Sequence, residues 1–345
     1  MAFDLDRILP VAPASPLDDT GAPRIGAYAG SMESVDLGPL RGTGLRGRLR
    51  QLTKEKRWTF VMLTSREVVC CFAIVDLTYA SNCFIFVADR NDKKMIVEKS
   101  FLGLPGLSAH VAERPGAGAR ASFSAKGAEL HIERVGAKYL GTARVDDGKL
   151  SLNFTLDTQP AAPAVTLIVP VQGGILNCTQ KWSGLPAHGS LVVGDKRYDL
   201  DGGFGGMDYT YGLLARETIW RWGFASGLAT DGTPVGFNVG EGVNSAVPGE
   251  NALWHGNQPC YLPDVRFTFD RQSPLDPWRI QSDDGSVDLR FTGVGFHREA
   301  RNLVVAASKF VQVAGEFSGK LRGRGGKVIE VSGLPGVVED QFVRW

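Results

Sequence analysis

Glu241 is the carboxylate whose surroundings most suggest acid chemistry. The run Trp220-Arg221-Trp222-Gly223-Phe224 precedes Asp231-Gly232, and Gly236-Phe237-Asn238-Val239-Gly240-Glu241-Gly242 follows it. Asp-Gly between two such runs favours a two-residue hairpin with both turn residues at positive φ. With that turn, one face carries Trp220, Trp222, Phe224, Phe237 and Val239, and Glu241 lies across from Trp222. Desolvation among indole rings keeps a carboxyl protonated near neutral pH, the state a general acid needs. The other face is mostly glycine, with Arg221 and Asn238 available to orient a polar end of a bound molecule. A bulge at Gly240 or Gly242 would instead turn Glu241 to solvent.

A second cluster stands upstream: Gly202-Gly203-Phe204-Gly205-Gly206, then Asp208, Tyr209, Thr210 and Tyr211. No Lys-Ser or Lys-Thr follows the glycines and no strand-then-helix pattern surrounds them, so neither a phosphate loop nor a dinucleotide fingerprint is present. Asp208 is a candidate acid or base with Tyr209 or Tyr211 as hydrogen-bonding partner; a turn-capping aspartate is the plainer alternative. The five histidines are scattered without metal-ligand spacing, and His255, beside Trp254 and near Glu250, is the best placed for catalysis. No Gly-x-Ser-x-Gly elbow occurs. Cys70, Cys71, Cys83, Cys178 and Cys260 form neither a disulfide framework nor a paired metal motif. Neither metal nor cofactor is expected.

These residues must be positioned by strands. At 345 residues the chain exceeds the usual size of one core, and two domains are the default. With 43% hydrophobic and 22% charged residues it is an ordinary globular chain, and its 43 glycines and 18 prolines imply many turns. Leu150, Leu152, Phe154 and Leu156 alternate with polar residues, as do Val265, Phe267 and Phe269, the pattern of half-buried antiparallel strands. Asp147-Gly148 and Asp284-Gly285 are further hairpin turns; they pair Leu150 with Val145, Trp278 with Phe291 and Ile280 with Leu289. Arg57-Trp58-Thr59-Phe60 recurs as Arg221-Trp222-Gly223-Phe224 nearly half a chain later, which suggests two related halves, 1–175 and 176–345. In that scheme Asp76 and Tyr79 occupy a region similar to that of Asn238 and Glu241.

Partners are bounded more by charge than by motif. A net charge of +1 offers no field for a polyanion, and the short basic stretch Arg41, Arg46, Arg48, Arg50 reads as a solvated strand face, so no nucleic acid is expected. The longest apolar run, near Ala161 to Val171, is short and broken by prolines, and the start lacks a basic-then-apolar leader. A cytoplasmic protein without an integral membrane segment is the expectation.

Several pieces together carry a resemblance: Trp220-Arg221-Trp222, Asp231-Gly232, Gly236-Phe237-Asn238, Glu250-Asn251 with Trp254 and Gly256, Pro277-Trp278, and Glu339-Asp340 before Arg344-Trp345. With Lys56, Trp58, Asp76 and Tyr79 in the first half, the chain resembles the bacterial family called domain of unknown function 2804. That family is similar in layout to tandem-lipocalin proteins, among them carotenoid hydratases and fungal cyclases acting on polyenes. The resemblance implies an all-β fold of two antiparallel lipocalin-like barrels with few short helices and an apolar pocket. A lipophilic, unsaturated small molecule is then the expected partner. Trp220, Trp222, Arg221, Asn238, Trp254, Asp76 and Tyr79 would bind it, and cofactor-free hydration, isomerisation or cyclisation would use Glu241 or Asp208. The alternatives are a non-catalytic carrier of a fatty or isoprenoid ligand and a structural protein with filled barrels.

Overall fold

The computed structural model describes residues 4–345 apart from 160, 245, 247, 248, 257, 258, 304 and 305. Short elements come first: β1 (Gly26–Ala29), α1 (Gly38–Arg41) and α2 (Gly44–Lys54). A meander follows, β2 (Glu55–Thr64), β3 (Val68–Asp76), β4 (Ser81–Asp89) and β5 (Lys94–Gly103). A second runs through β6 (Ala109–Val111), β7 (Arg120–Ala125), β8 (Ala128–Val135), β9 (Lys138–Val145) and β10 (Leu150–Asp157). β11 (Val165–Pro170), the long bent β12 (Leu176–Val193), β13 (Lys196–Asp199) and β14 (Gly203–Leu213) complete the first sheet. Its main order is β5-β4-β3-β2-β14-β12-β10-β9-β8-β7-β6.

The second sheet comprises β15 (Glu217–Leu228), β16 (Pro234–Gly242), β17 (Ala252–Trp254), β18 (Pro259–Tyr261), β19 (Arg266–Thr268), β20 (Trp278–Gln281), β21 (Val287–Leu303), β22 (Ala306–Arg322) and β23 (Val328–Arg344). The order is β18-β17-β16-β15-β23-β22-β21-β20-β19, antiparallel throughout. The strands divide after Leu213 rather than at 175, so segment 176–213 hydrogen-bonds within the first sheet. Both sheets curl, giving two antiparallel barrel-like lobes of lipocalin type in tandem.

Alternation places the cores. Val61, Leu63, Cys70, Phe72, Ile74 and Ile85 fill the first lobe, and Phe237, Val239, Trp278, Phe291 and Phe317 fill the second. The intervening residues of β2–β4 are buried as well. Phe60, Met62, Cys71, Ala73, Phe84 and Phe86 pack against Trp222, Phe224, Phe310 and Val337 of the second sheet. This explains why Val68–Val75 reads as an unbroken apolar run: each face of the strand meets a different core. Cys70 and Cys71 face opposite cores, and burial pushes the Cys70 thiol to about 12, a packing role.

Two of the three hairpin registers hold. Leu150 pairs with Val145, Trp278 with Phe291 and Ile280 with Leu289. The loops between them carry four residues rather than two, which adds one on each side and leaves the register untouched. The third hairpin differs. Ala229 N donates to Thr233 O, leaving a three-residue loop closed by Gly232 at φ +80°. That odd residue shifts the ladder by one, so Trp222 pairs with Gly240 and Glu241 pairs with Arg221. A one-residue slip moves every side chain of a strand to the other face. Phe237 and Val239 therefore enter the second lobe's core rather than joining Trp220 and Trp222. The aromatic face belongs to the contact between lobes, not to a barrel interior. The basic stretch is likewise not a strand face, since Arg46, Arg48 and Arg50 lie on α2.

Glycines allow the sheets to meet closely. A methyl group on Gly206 would lie 2.5 Å from the Phe224 ring and 2.6 Å from the Trp182 carbonyl oxygen. Gly206→Val should therefore lower stability by about 2–3 kcal/mol through overpacking, read from denaturant midpoints. Gly232→Ala, strained only in φ, should cost about 1 kcal/mol.

Candidate active site between the sheets

The inner faces of the two sheets do not close completely. They leave a cavity of about 270 Å³, near the small end of ligand pockets, walled by Trp58, Phe60, Val75 and Phe84 on one side and Trp220, Trp222, Phe310 and Trp345 on the other. The echoed strands β2 and β15 face each other across it: Trp58 stacks on Trp220 at 6.2 Å between centroids, and Phe60 meets Trp222 edge-on at 5.2 Å. Asn82 Oδ1, Asn177 Oδ1 and Gln312 Oε1 are buried in this wall without a protein hydrogen-bond partner among the described residues. A buried acceptor left unpaired is costly, and these atoms are shielded from the cavity as well as from solvent, so they are a cost carried by the wall rather than contacts for a guest.

Five carboxyl groups line the cavity among the described residues, those of Asp208, Glu241, Glu250, Glu299 and Glu339; Asp208 and Glu250 lie beside Lys181, and Glu339 beside Trp220. On β14, alternation turns Asp208 and Thr210 into the cavity. Asp208 Oδ1 is 2.7 Å from Lys181 Nζ and accepts from Thr179 Oγ1 at 3.3 Å, while Trp58 Nε1 donates to Oδ2 at 3.2 Å. Lys181 also stands 3.7 Å from Glu250 Oε1 and 5.6 Å from the Trp222 ring centre. Burial raises the Glu250 pKa above its ordinary value, against the pull of Lys181 and of Asn244 Nδ2, which donates to it at 2.8 Å. Glu339, on β23, is 6% exposed. Trp220 Nε1 donates to its Oε1 at 2.7 Å and Gln312 Nε2 to its Oε2 at 2.6 Å. Burial pushes its pKa to about 7; the two hydrogen bonds oppose this and the negative charge of Asp208 adds to it. Glu339 is thus an acid that holds its proton up to neutral pH, facing an aromatic chamber.

The expected site residues divide by strand parity. Tyr209 and Tyr211 point away from Asp208, into the first lobe, where Tyr209 OH donates to Ala112 O at 3.0 Å and Arg57 Nη2 donates to Tyr211 OH at 2.8 Å. Neither lines the cavity. Glu241 reaches only its rim, 3.6 Å from Arg221 Nη1 and accepting from Phe267 N at 3.4 Å, and does not oppose Trp222. Asn238 lies beneath the wall: Trp222 Nε1 donates to its Oδ1 at 2.7 Å and its Nδ2 donates to Glu250 O at 2.9 Å, fixing the indole. Trp254 donates to Pro163 O and packs in the first core. His255 sits by the hairpin turn, 3.0 Å from Thr233 Oγ1, where burial lowers its pKa. Asp76 caps a turn by accepting from Thr78 N at 2.8 Å, whereas Tyr79 lines the cavity mouth.

Lys181 and Gln312 go unremarked in motif reading, and Glu250 and Glu339 enter it as pieces of the family pattern with no role in a site. The available signal was a charged residue inside a strand-like run, as in Val337-Val338-Glu339-Asp340-Gln341-Phe342-Val343. Among the described residues no three His, Cys, Asp or Glu side chains converge in a metal-holding group, and no helix is long and apolar enough to cross a membrane.

Fold and chamber together define a two-lobed, lipocalin-like β protein with a ligand-sized space between its lobes. The chain belongs to the family described as domain of unknown function 2804, whose profile matches residues 12–345. A search of curated proteins gives no match. Among solved structures, a protein from Nitrosomonas europaea described as AttH has a TM-score of 0.52 at 11% identity, covering 83% of this chain and 92% of that one. CghA with Sch210972 gives 0.52 at 12% identity, with 85% and 88% covered. Kievitone hydratase from Nectria haematococca gives 0.49 at 12% identity, with 92% and 97% covered. At such identities the first two establish the fold alone.

Glu339 ties stability to pH. Its ordinary pKa of 4.5 rises to about 7 in the fold, so between these values the native state holds a proton that the unfolded chain has lost. Stability should fall by roughly 3 kcal/mol as pH rises through that window and level off above it. Glu250 acts in the same direction. Denaturant unfolding on both sides of the window should show a smaller fall for Glu339→Gln; an unchanged fall would assign the titration to another group.

Proposed function

We propose that the chamber binds an apolar, unsaturated small molecule and that Glu339 protonates it, in a hydration, isomerisation or cyclisation. The observation that carries this reading is a buried carboxyl group, Glu339, set in the wall of an aromatic cavity with the neutral donors Trp220 and Gln312 on its oxygens, where burial raises its pKa. Protonation of a double bond by Glu339 would leave a cation facing the rings of Trp58, Trp220 and Trp222, whose π faces stabilise positive charge. Loss of a neighbouring proton to Asp208 then gives an isomer; attack by a second double bond closes a ring and moves the cation to a new carbon, from which the same proton loss to Asp208 gives the neutral ring. Attack by water gives a hydrate, with the water proton returned to Glu339. Asp208, paired with Lys181, is the base of the set and also keeps Glu339 protonated. Arg221 and Tyr79, at the edges of the chamber, are placed to hold a polar end. CghA, a protein of the same fold with a structure containing Sch210972, is consistent with a ligand-holding role.

A carrier is the second reading, favoured by the mostly apolar, aromatic lining of the chamber, which would hold a lipophilic guest with no proton transfer.

Native mass spectrometry of freshly purified protein, followed by extraction, should reveal a bound lipophilic molecule and supply a substrate to assay. Glu339→Gln should then reduce turnover by about 10²–10⁴-fold while leaving affinity nearly unchanged, as expected on losing a general acid. Equal binding by both proteins with no conversion would favour the carrier. Failure to take up any apolar probe would sink both.

A further inference from the structure

Helix α2 presents its apolar stripe outward. Gly47 is buried and Gln51 and Lys54 are half-buried, so these three form the face toward the protein. Gly47 lets the turn between α1 and α2 lie against the helix, since a Cβ there would be 2.3 Å from Gly42 O. On the opposite face Leu45, Leu49 and Leu52 are 84%, 60% and 47% exposed. At roughly 100° per residue these leucines fall within about 60° of one another, flanked by Arg46 and Arg48, and the helix contains no Asp or Glu. A helix that only covers a core points its leucines inward.

The location gives the stripe a purpose. β2 begins where α2 ends, and antiparallel pairing brings the end of β3, the start of β4 and the end of β5 to the same edge. The contact is direct: Thr78 Oγ1 donates to Glu55 O at 3.1 Å, and Lys56 Nζ to Leu52 O and Leu77 O at 3.4 Å. Tyr79 and Leu102 line the chamber mouth at this edge, and Leu102, Leu104 and Leu107 are 63%, 63% and 80% exposed. Exposed leucines on two elements therefore border the opening.

We propose that this edge docks on an anionic lipid bilayer. The leucines of α2 enter the acyl boundary, Arg46 and Arg48 meet lipid phosphates, and the Leu102–Leu107 segment makes a second contact, so that the chamber mouth faces the membrane. Arginines beside a leucine stripe with no carboxylate on the helix are complementary to a phosphate layer. A lipophilic guest would then pass from bilayer to chamber without crossing water. The docking stands independently of whether Glu339 is catalytic.

Co-sedimentation of the full-length protein with phosphatidylcholine vesicles, with and without phosphatidylglycerol, tests it. The protein should bind the anionic vesicles, less so the neutral ones, and less at high salt. Leu45→Asp with Leu49→Asp should weaken partitioning by about tenfold or more, and Arg46→Glu with Arg48→Glu should abolish the preference for phosphatidylglycerol. These side chains are exposed, so the melting temperature and uptake of an apolar probe should stay unchanged. Absence of vesicle binding, or equal binding by the variants, overturns the proposal. A dimer in solution that Leu49→Asp dissociates would assign the stripe to a second copy and overturn it equally.

Discussion

Lys181 is shared between two buried carboxylates, and the chemistry of the chamber follows from that shortage of positive charge. Its ammonium lies 2.7 Å from Asp208 and 3.7 Å from Glu250, while among the described residues the donors on the Glu339 oxygens are the neutral groups of Trp220 and Gln312. Removing a carboxylate from water is unfavourable unless charge or several hydrogen bonds compensate. Asp208 has such compensation in Lys181, Thr179 and Trp58. Glu339 has less and keeps its proton. Two carboxyl groups in one wall thus have unlike surroundings, one paired with an ammonium and the other held by neutral donors.

The fold supplies these neighbours by using both faces of its inner strands. In β2, β3 and β15 one set of side chains fills a lobe and the alternate set meets the other sheet. The lobes are consequently packed inside, and the space for a guest lies where two aromatic surfaces meet without matching. Gly206 and Gly236 permit the close contact around it; a Cβ at Gly236 would lie 2.5 Å from Gly184 N. Asn238 shows the same economy of position: from beneath the wall it fixes the Trp222 indole and the backbone of Glu250 together.

The edge of the first sheet links this interior to the surface. Lys56 is fully buried there, its ammonium capped by carbonyl oxygens of α2, β2 and the β3–β4 turn and set 4.9 Å from the Tyr79 ring centre. Burial lowers its pKa to about 8, so the joint between helix and chamber mouth is itself held by a costly buried charge. Such a joint holds α2 at a defined place beside the opening.

Much of the architecture was legible in residue order because strand alternation and turn chemistry are local. The alternation of Leu150–Leu156 and the registers around Asp147-Gly148 and Asp284-Gly285 follow from neighbours a few residues apart. Asp208, Trp220, Arg221, Trp222 and Tyr79, all named from the sequence on other grounds, line the cavity. The Asp231-Gly232 hairpin shows the limit of local reading: Asp-Gly marks a turn but does not say whether its loop holds two residues or three, and that one residue moved Glu241 from the aromatic face to the rim. Lys181, Glu250 and Glu339 come from β12, the segment before β17, and β23, so only the folding of one sheet onto the other makes them a site. Which carboxyl keeps its proton was decided there too, because desolvation depends on what surrounds a group in space and not on what precedes it in the chain.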